Sequence, residues 1–174
     1  AHKGLTPQNL PGATDGGIIH RSAGLWGGGD ILLNSMMGAI TGIRVAQGAT
    51  FTISGNNSLT TTLGTATFEN SGTLTKQSGA GVTQFSGARF INTGTLNVGS
   101  GVFRTDGVAL TANTLDAGTW NVNGGAALDL QGVTIQTNRA KVTINGASTQ
   151  FAAMDTLTLN DTAGEFTVTG GRVF

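Results

Sequence analysis

The sequence predicts an all-β chain wound as a parallel β-solenoid, and three observations carry that expectation. Two near-identical nonapeptides, F-E-N-S-G-T-L-T-K (Phe68 to Lys76) and F-I-N-T-G-T-L-N-V (Phe90 to Val98), stand 22 residues apart. Six apolar residues, Phe51, Leu74, Leu96, Trp120, Val142 and Phe166, recur at intervals of 23, 22, 24, 22 and 24 residues. Glycine supplies 29 of the 174 residues while only 10% are charged. That composition suits tight corners between short strands. A structural unit that buries its apolar face only against its own kind has reason to repeat, whereas a catalytic motif does not.

Each position of the repeat has a physical meaning. Phe51, Leu74, Leu96, Trp120, Val142 and Phe166 form one expected core column. Ile53, Val98, Val122, Ile144 and Val168 form a second, two residues on, with Lys76 as its exception. A spacing of two places both columns on the inner face of one strand. The residues between and before them, Thr50, Thr52, Thr73, Thr75, Thr95, Asn97, Thr119 and Asn121, then face outward.

A small residue precedes each strand (Ala49, Gly72, Gly94, Gly118, Ala140, Gly164), and two residues before it stand Gln47, Asn70, Asn92, Asp116, Asn138 and Thr162. Asn and Asp tolerate left-handed backbone and bond nearby main-chain groups. This column is therefore expected to form a corner ladder along the stack. Ser-Gly or Gly-Gly pairs follow five of the six strands (Ser54-Gly55, Ser78-Gly79, Ser100-Gly101, Gly124-Gly125, Gly170-Gly171). Further apolar residues (Phe103, Val108, Leu110, then Leu128, Leu130, Val133, Ile135) leave room for about three sides per coil. Six coils at about 4.8 Å each make a rod about 25–30 Å long.

The repeats occupy residues 43–174. Residues 1–42 fall outside the register and are expected to form an N-terminal arm and cap, with a contact to a neighbouring subunit. Within them, Asp30 followed by Ile31, Leu32, Leu33, Met36, Met37 and Ile40 has helical spacing. It predicts a short capping helix with Asp30 as its N-cap. The final copy stops at Phe174 with no polar cap, so either the chain is a fragment of a longer solenoid or this edge is covered by another molecule, in which case Phe166, Val168, Val173 and Phe174 form a candidate assembly edge. Subunits stacking there head to tail would build a fibre. The start of the chain has no basic and apolar leader, which is read as a signal peptide already removed.

Nine basic and nine acidic residues balance. That gives no electrostatic footprint for nucleic acid and no pull toward an anionic membrane, and no stretch is apolar enough to span one. There is no cysteine, hence no disulfide or thiolate chemistry. No P-loop, H-E-x-x-H, G-x-S-x-G or helix-opening G-x-G-x-x-G occurs. The two histidines, His2 and His20, lie in the unregistered arm. The acids Asp106 (near Arg104), Asp129, Asp155 and Asp161 form no column. Catalytic, cofactor and metal residues are accordingly expected to be none, and the chain is expected not to be an enzyme. Gly27 to Asp30 reads as a turn and not a calcium loop. Trp120 belongs to the core, while Trp26 is open to either core or surface.

Two alternatives remain. The outward pairs T-F-T, T-L-T, T-L-N and T-W-N suit an ice-binding face, although Lys141 and Glu165 break the array. A β-helix that binds or cleaves polysaccharide is the other.

The run F-x-N-[ST]-G-T-L-x-[KV] followed by S-G, clearest in residues 66–125, resembles the repeats of bacterial surface proteins of the autotransporter-adhesin β-helix type. The resemblance implies a secreted or cell-surface location and a stalk, fibre or adhesive role. The partners it implies are the chain's own copies, a surface polysaccharide or a host receptor.

Overall fold

A computed structural model of the chain describes residues 5–9, 16–35 and 40–171. They form a parallel β-solenoid of about six turns whose strands run coil by coil. Strand β1 (Leu5–Asn9) precedes the first coil, which holds β2 (Gly16–His20), β3 (Ala23–Trp26) and β4 (Ile31–Leu32). The second holds β5 (Ile40–Val45), β6 (Thr50–Ser54) and β7 (Ser58–Thr60). The third holds β8 (Thr65–Asn70), β9 (Thr73–Ser78) and β10 (Val82–Ser86), and the fourth β11 (Ala88–Asn92), β12 (Thr95–Val98) and β13 (Val102–Thr105). Then follow β14 (Thr114–Leu115), β15 (Thr119–Asn123), β16 (Ala127–Leu130), β17 (Thr137–Asn138), β18 (Lys141–Asn145), β19 (Leu159–Asn160) and β20 (Glu165–Thr169).

Three sides result. Side A stacks β2, β5, β8 and β11. Side B stacks seven strands from β3 to β20, and side C stacks five from β4 to β16. Short strands β14, β17 and β19 replace side A in the later coils. Past β16, side C gives way to a single 3-10 turn, Ala152–Met154. All pairings within sides B and C are parallel, as a coil that rises by one strand spacing per turn requires.

The expected core column is realised without a slip. Gly24, Phe51, Leu74, Leu96, Trp120, Val142 and Phe166 are successive partners, as are Trp26, Ile53, Lys76, Val98, Val122, Ile144 and Val168. Phe51 to Val142 are buried, and Phe166, on the last strand, is half-buried. Side A adds Ile43, Phe68 and Phe90, and side C adds Leu59, Phe85, Phe103, Leu128 and Leu130. Aromatic rings run through this core in contact: Phe68–Phe85 at 4.8 Å, Phe85–Phe103 at 4.9 Å, Phe90–Trp120 at 6.2 Å. Tilted and edge-on rings at these spacings add to the burial energy of their large apolar surfaces.

The N-terminal expectations need correction. The solenoid begins at β2, not at residue 43, because β2, β3 and β4 pair in parallel with β5, β6 and β7. This first coil escapes the repeat pattern because its inward residues are His20, Gly24 and Trp26 where the next coil carries Val45, Phe51 and Ile53. No helix starts at Asp30. Its carboxylate accepts the Ser58 N–H at 2.7 Å, and Ile31–Leu32 is strand. Of the apolar residues in that spacing, Ile31 and Leu32 lie on β4 and Ile40 opens β5. Met36 and Met37 lie outside the described residues. The arm strand β1 pairs antiparallel with β2 of its own chain, across the edge of side A.

Candidate functional site

Side B carries the surface that the repeat places outward. Two columns run along it in register: Ala23, Thr50, Thr73, Thr95, Thr119, Lys141, Glu165 and Leu25, Thr52, Thr75, Asn97, Asn121, Thr143, Thr167. All eight predicted outward residues lie on this face. Across the coils of β6, β9, β12 and β15 it is uncharged. Asn121 donates to Asn97 Oδ1 at 2.9 Å, and Asn97 donates to Thr75 Oγ1 at 3.4 Å. Lys141 and Glu165 close the array with an ion pair at 2.6 Å.

The corner ladder is real, but half of its expected members differ. Asn70 Nδ2 donates to Asn92 Oδ1 at 2.7 Å and to the Thr95 carbonyl at 2.8 Å. Asn92 Nδ2 donates to the Thr119 carbonyl at 3.2 Å. In the later coils Asn138 Nδ2 donates to Asn160 Oδ1 at 2.7 Å, and the Asn138 side chain also bonds Ala140 at both N–H and carbonyl. Gln47, Asp116 and Thr162 stand outside the ladder and are exposed. Their rungs are taken by Val45, Leu115 and Asn160.

The cause is corner length. Two residues separate Asn70 from Thr73 and Asn92 from Thr95, but four separate Val45 from Thr50 and Asn160 from Glu165. Counting back a fixed distance from the strand therefore lands in the longer corners. Asp116 instead faces Arg139 at 3.5 Å, and Arg139 bonds Asp161 at 2.7 Å, which holds that carboxyl below the usual carboxylate range.

His20 occupies the first rung of this ladder, a role not evident from the sequence. Its Nε2 lies 2.9 Å from the Thr50 carbonyl, the analogue of the Asn70–Thr95 bond. Its ring fills the space in front of Gly24, where a Cβ would overlap the imidazole. Trp26 is settled as core: its side chain is buried and its Nε1 donates to the Gly29 carbonyl at 2.7 Å.

Lys76 is the second unforeseen feature. It is fully buried between Ile53 and Val98 in the inner column. Its Nζ donates to the carbonyls of Gly55 at 2.8 Å, Ser78 at 3.0 Å and Gly79 at 3.3 Å. The pairing register shifts here, so that Ile53 opposes Lys76 but Ser54 opposes Ser78. Strand β9 is one residue longer than β6, and Gln77 is the residue left without a partner. The bulge turns carbonyls inward, and the ammonium satisfies them. Burial pushes this amine below the usual lysine range.

The acids considered for polysaccharide chemistry are tied into the stack. Asp129 pairs with Arg104 at 2.7 Å, and Asp106 accepts from Ser86 Oγ at 2.8 Å and Gly87 N–H at 2.9 Å. The Arg104–Asp129 pair lies in an open groove of about 380 Å³ beside β16, walled by Val133, Gln150 and Ala153. Of the candidate assembly edge, Phe166 and Val168 lie on β20, the last strand of side B, and Val173 and Phe174 lie outside the described residues. No family model, curated protein or solved structure matches the chain.

Proposed function

We propose that the chain is a non-enzymatic structural rod of an extracellular fibre or stalk, built by coils stacked head to tail. The observation that carries this reading is the continuous parallel pairing of side B from β3 to β20, with one register shift after Ile53. A main-chain ladder of that length, locked by two buried apolar columns, makes a stiff spacer. The acids resolved into ion pairs or main-chain bonds serve the stack, which fits a mechanical role better than a catalytic one. At β20, Phe166 and Val168 present the same two columns half-covered, a surface onto which the parallel strand of a further coil fits. The surface-protein resemblance favours an extracellular setting.

Negative-stain electron microscopy of the purified chain, with light scattering over a concentration series, tests the proposal. Filaments one coil-stack wide are expected. A sharp monomer at high concentration with no filaments would count against head-to-tail stacking.

A second reading, ice binding, is favoured by the uncharged Thr and Asn columns on the outer face of side B. Thermal hysteresis or reshaped ice crystals, lost on Thr95→Lys, would support it. Ordinary hexagonal growth at all concentrations would remove it.

A further inference from the structure

Coils three and four present nearly the same inward surface on two of their three sides. Ala66 and Ala88, Phe68 and Phe90, Asn70 and Asn92, and Leu74 and Leu96 are register partners of identical type. On side C the same two side chains recur in reverse order, Thr83 and Phe85 against Phe103 and Thr105. A chain with such interchangeable templates is open to a slip of one whole coil, in which the strands of coil four stack directly on coil two and coil three is looped out or exchanged with another molecule. On sides A and B apolar contacts discriminate poorly between the two arrangements, because each of these columns would meet its own kind in either, whereas on side C the slip would set Thr105 against Leu59 in place of Phe85.

On sides A and B the inward exception is Lys76, whose counterpart is Val98. Lys76 is also bonded to one group that belongs to the neighbouring coil, the Gly55 carbonyl of coil two, at 2.8 Å. Thr83 Oγ1 donates to the same carbonyl at 3.2 Å. In the slipped arrangement Val98 would occupy this position and could donate nothing, and the Gly55 carbonyl would lose both of its side-chain donors, Lys76 and Thr83. Lys76, on the looped-out coil, would be released to solvent and could no longer reach Gly55. A buried polar group left unpaired is far more costly than a paired one is favourable, so the penalty falls on the wrong register.

We propose that Lys76 is a register pin: its ammonium, held by the Gly55, Ser78 and Gly79 carbonyls, makes coil three the sole partner that coil two accepts. The inference concerns folding specificity and stands whether or not the rod assembles into fibres.

The absence of cysteine in the chain allows a direct test by engineered cross-links. Thr52 and Thr75 are register partners, so the T52C/T75C variant reports the native stacking. Asn97 lies one coil beyond Thr75, which sets it about 10 Å from Thr52 by strand spacing, outside disulfide reach. The T52C/N97C variant therefore reports the slip. Each pair is denatured, refolded under oxidising conditions and analysed by non-reducing gel and peptide mapping.

With Lys76 present, T52C/T75C should cross-link within the chain and T52C/N97C should not. In a K76V background the T52C/N97C cross-link, within or between chains, should rise severalfold, and K76R, which keeps the cation, should restore the native pattern. A role confined to stability would lower the melting temperature of K76V while leaving the cross-link partition unchanged, and that result would overturn the proposal. Loss of the fold in both K76V and the isosteric K76M would overturn it too, because Lys76 would then be needed to fold at all and not to choose a register.

Discussion

Asn70 and Asn92 share a buried hydrogen bond of 2.7 Å that joins one coil to the next at the same corner. The Asn70 amide also reaches the Thr95 carbonyl, so one side chain spans both the corner and the following strand. Replacing Asn92 with Ala leaves the Asn70 amide short of one acceptor and the Thr119 carbonyl short of one donor. The expected cost is about 2 kcal/mol, which lowers the melting temperature by about 4–8 °C. Gln47→Ala, an exposed corner residue outside the ladder, should leave it unchanged. Thermal melts followed by circular dichroism separate the two.

Lys76 gives the rod an alkaline stability profile of definite sign. Its amine is held below the usual lysine range of 10.5 by burial, so between that lowered value and 10.5 the unfolded chain binds more protons than the folded one. Stability therefore rises with pH through this window and levels off above it. Below the window the folded state carries the desolvation cost of the ammonium, offset in part by its bonds to the Gly55, Ser78 and Gly79 carbonyls. The chain has no tyrosine or cysteine to titrate in the same range. Urea denaturation between pH 7 and 10.5 should show an increasing midpoint, and K76M should flatten that rise. A midpoint that falls steadily over the range would contradict the assignment.

Core truncations should grade with position along the rod. Phe90 touches the rings of Phe68, Phe85, Phe103 and Trp120, so Phe90→Ala opens a cavity in the middle of the aromatic run. A loss of about 3–5 kcal/mol is expected. Phe166, half-buried on β20, leaves a site that water and neighbours fill more readily, and Phe166→Ala should cost less than half as much. Equal losses at the two positions, measured by chemical denaturation, would show that the β20 coil is as tightly enclosed as the centre.

The corner stack leaves no room for a methyl group at Gly94. A Cβ there would overlap the Gly72 carbonyl of the preceding coil and lie 2.6 Å from the Ser71 carbonyl carbon. Because the obstruction is main chain, relief requires a backbone shift. Gly94→Ala should destabilise by about 1–3 kcal/mol. Gly28→Ala, whose surroundings are open, should have little effect. Differential scanning calorimetry of the pair provides the comparison.

The inward columns were legible in the sequence because strand length on side B is nearly constant, and a period of two then fixes every side chain from Phe51 to Phe166. Corner length varies, and nothing in the local sequence records how many residues a corner holds. Asn70, Asn92 and Asn138 were found because their corners share one length, whereas Val45, Leu115 and Asn160 were displaced to Gln47, Asp116 and Thr162. The first coil was illegible for a different reason. His20, Gly24 and Trp26 fill one cross-section jointly, the ring of His20 occupying the volume that Gly24 vacates. Such exchange of volume between neighbours conserves packing while erasing the residue-by-residue pattern. Lys76 was visible as an exception, but its role depended on a bulge that only the paired strands reveal.

The unequal lengths of the three sides bear on how the rod responds to force. Side B runs through seven strands, while side C stops at β16 and side A is reduced to two-residue strands beyond β11. A pull along the axis loads the ladder bonds end to end. Near β20 that load falls on one full strand and one short one, against three sides near the centre. Extension should then proceed by peeling from the β20 end, one coil after another, at lower force than the central coils sustain. Under the proposed structural role, such a rod should be stiffest in its middle and yield first at the β20 end, as a tether with a built-in fuse would.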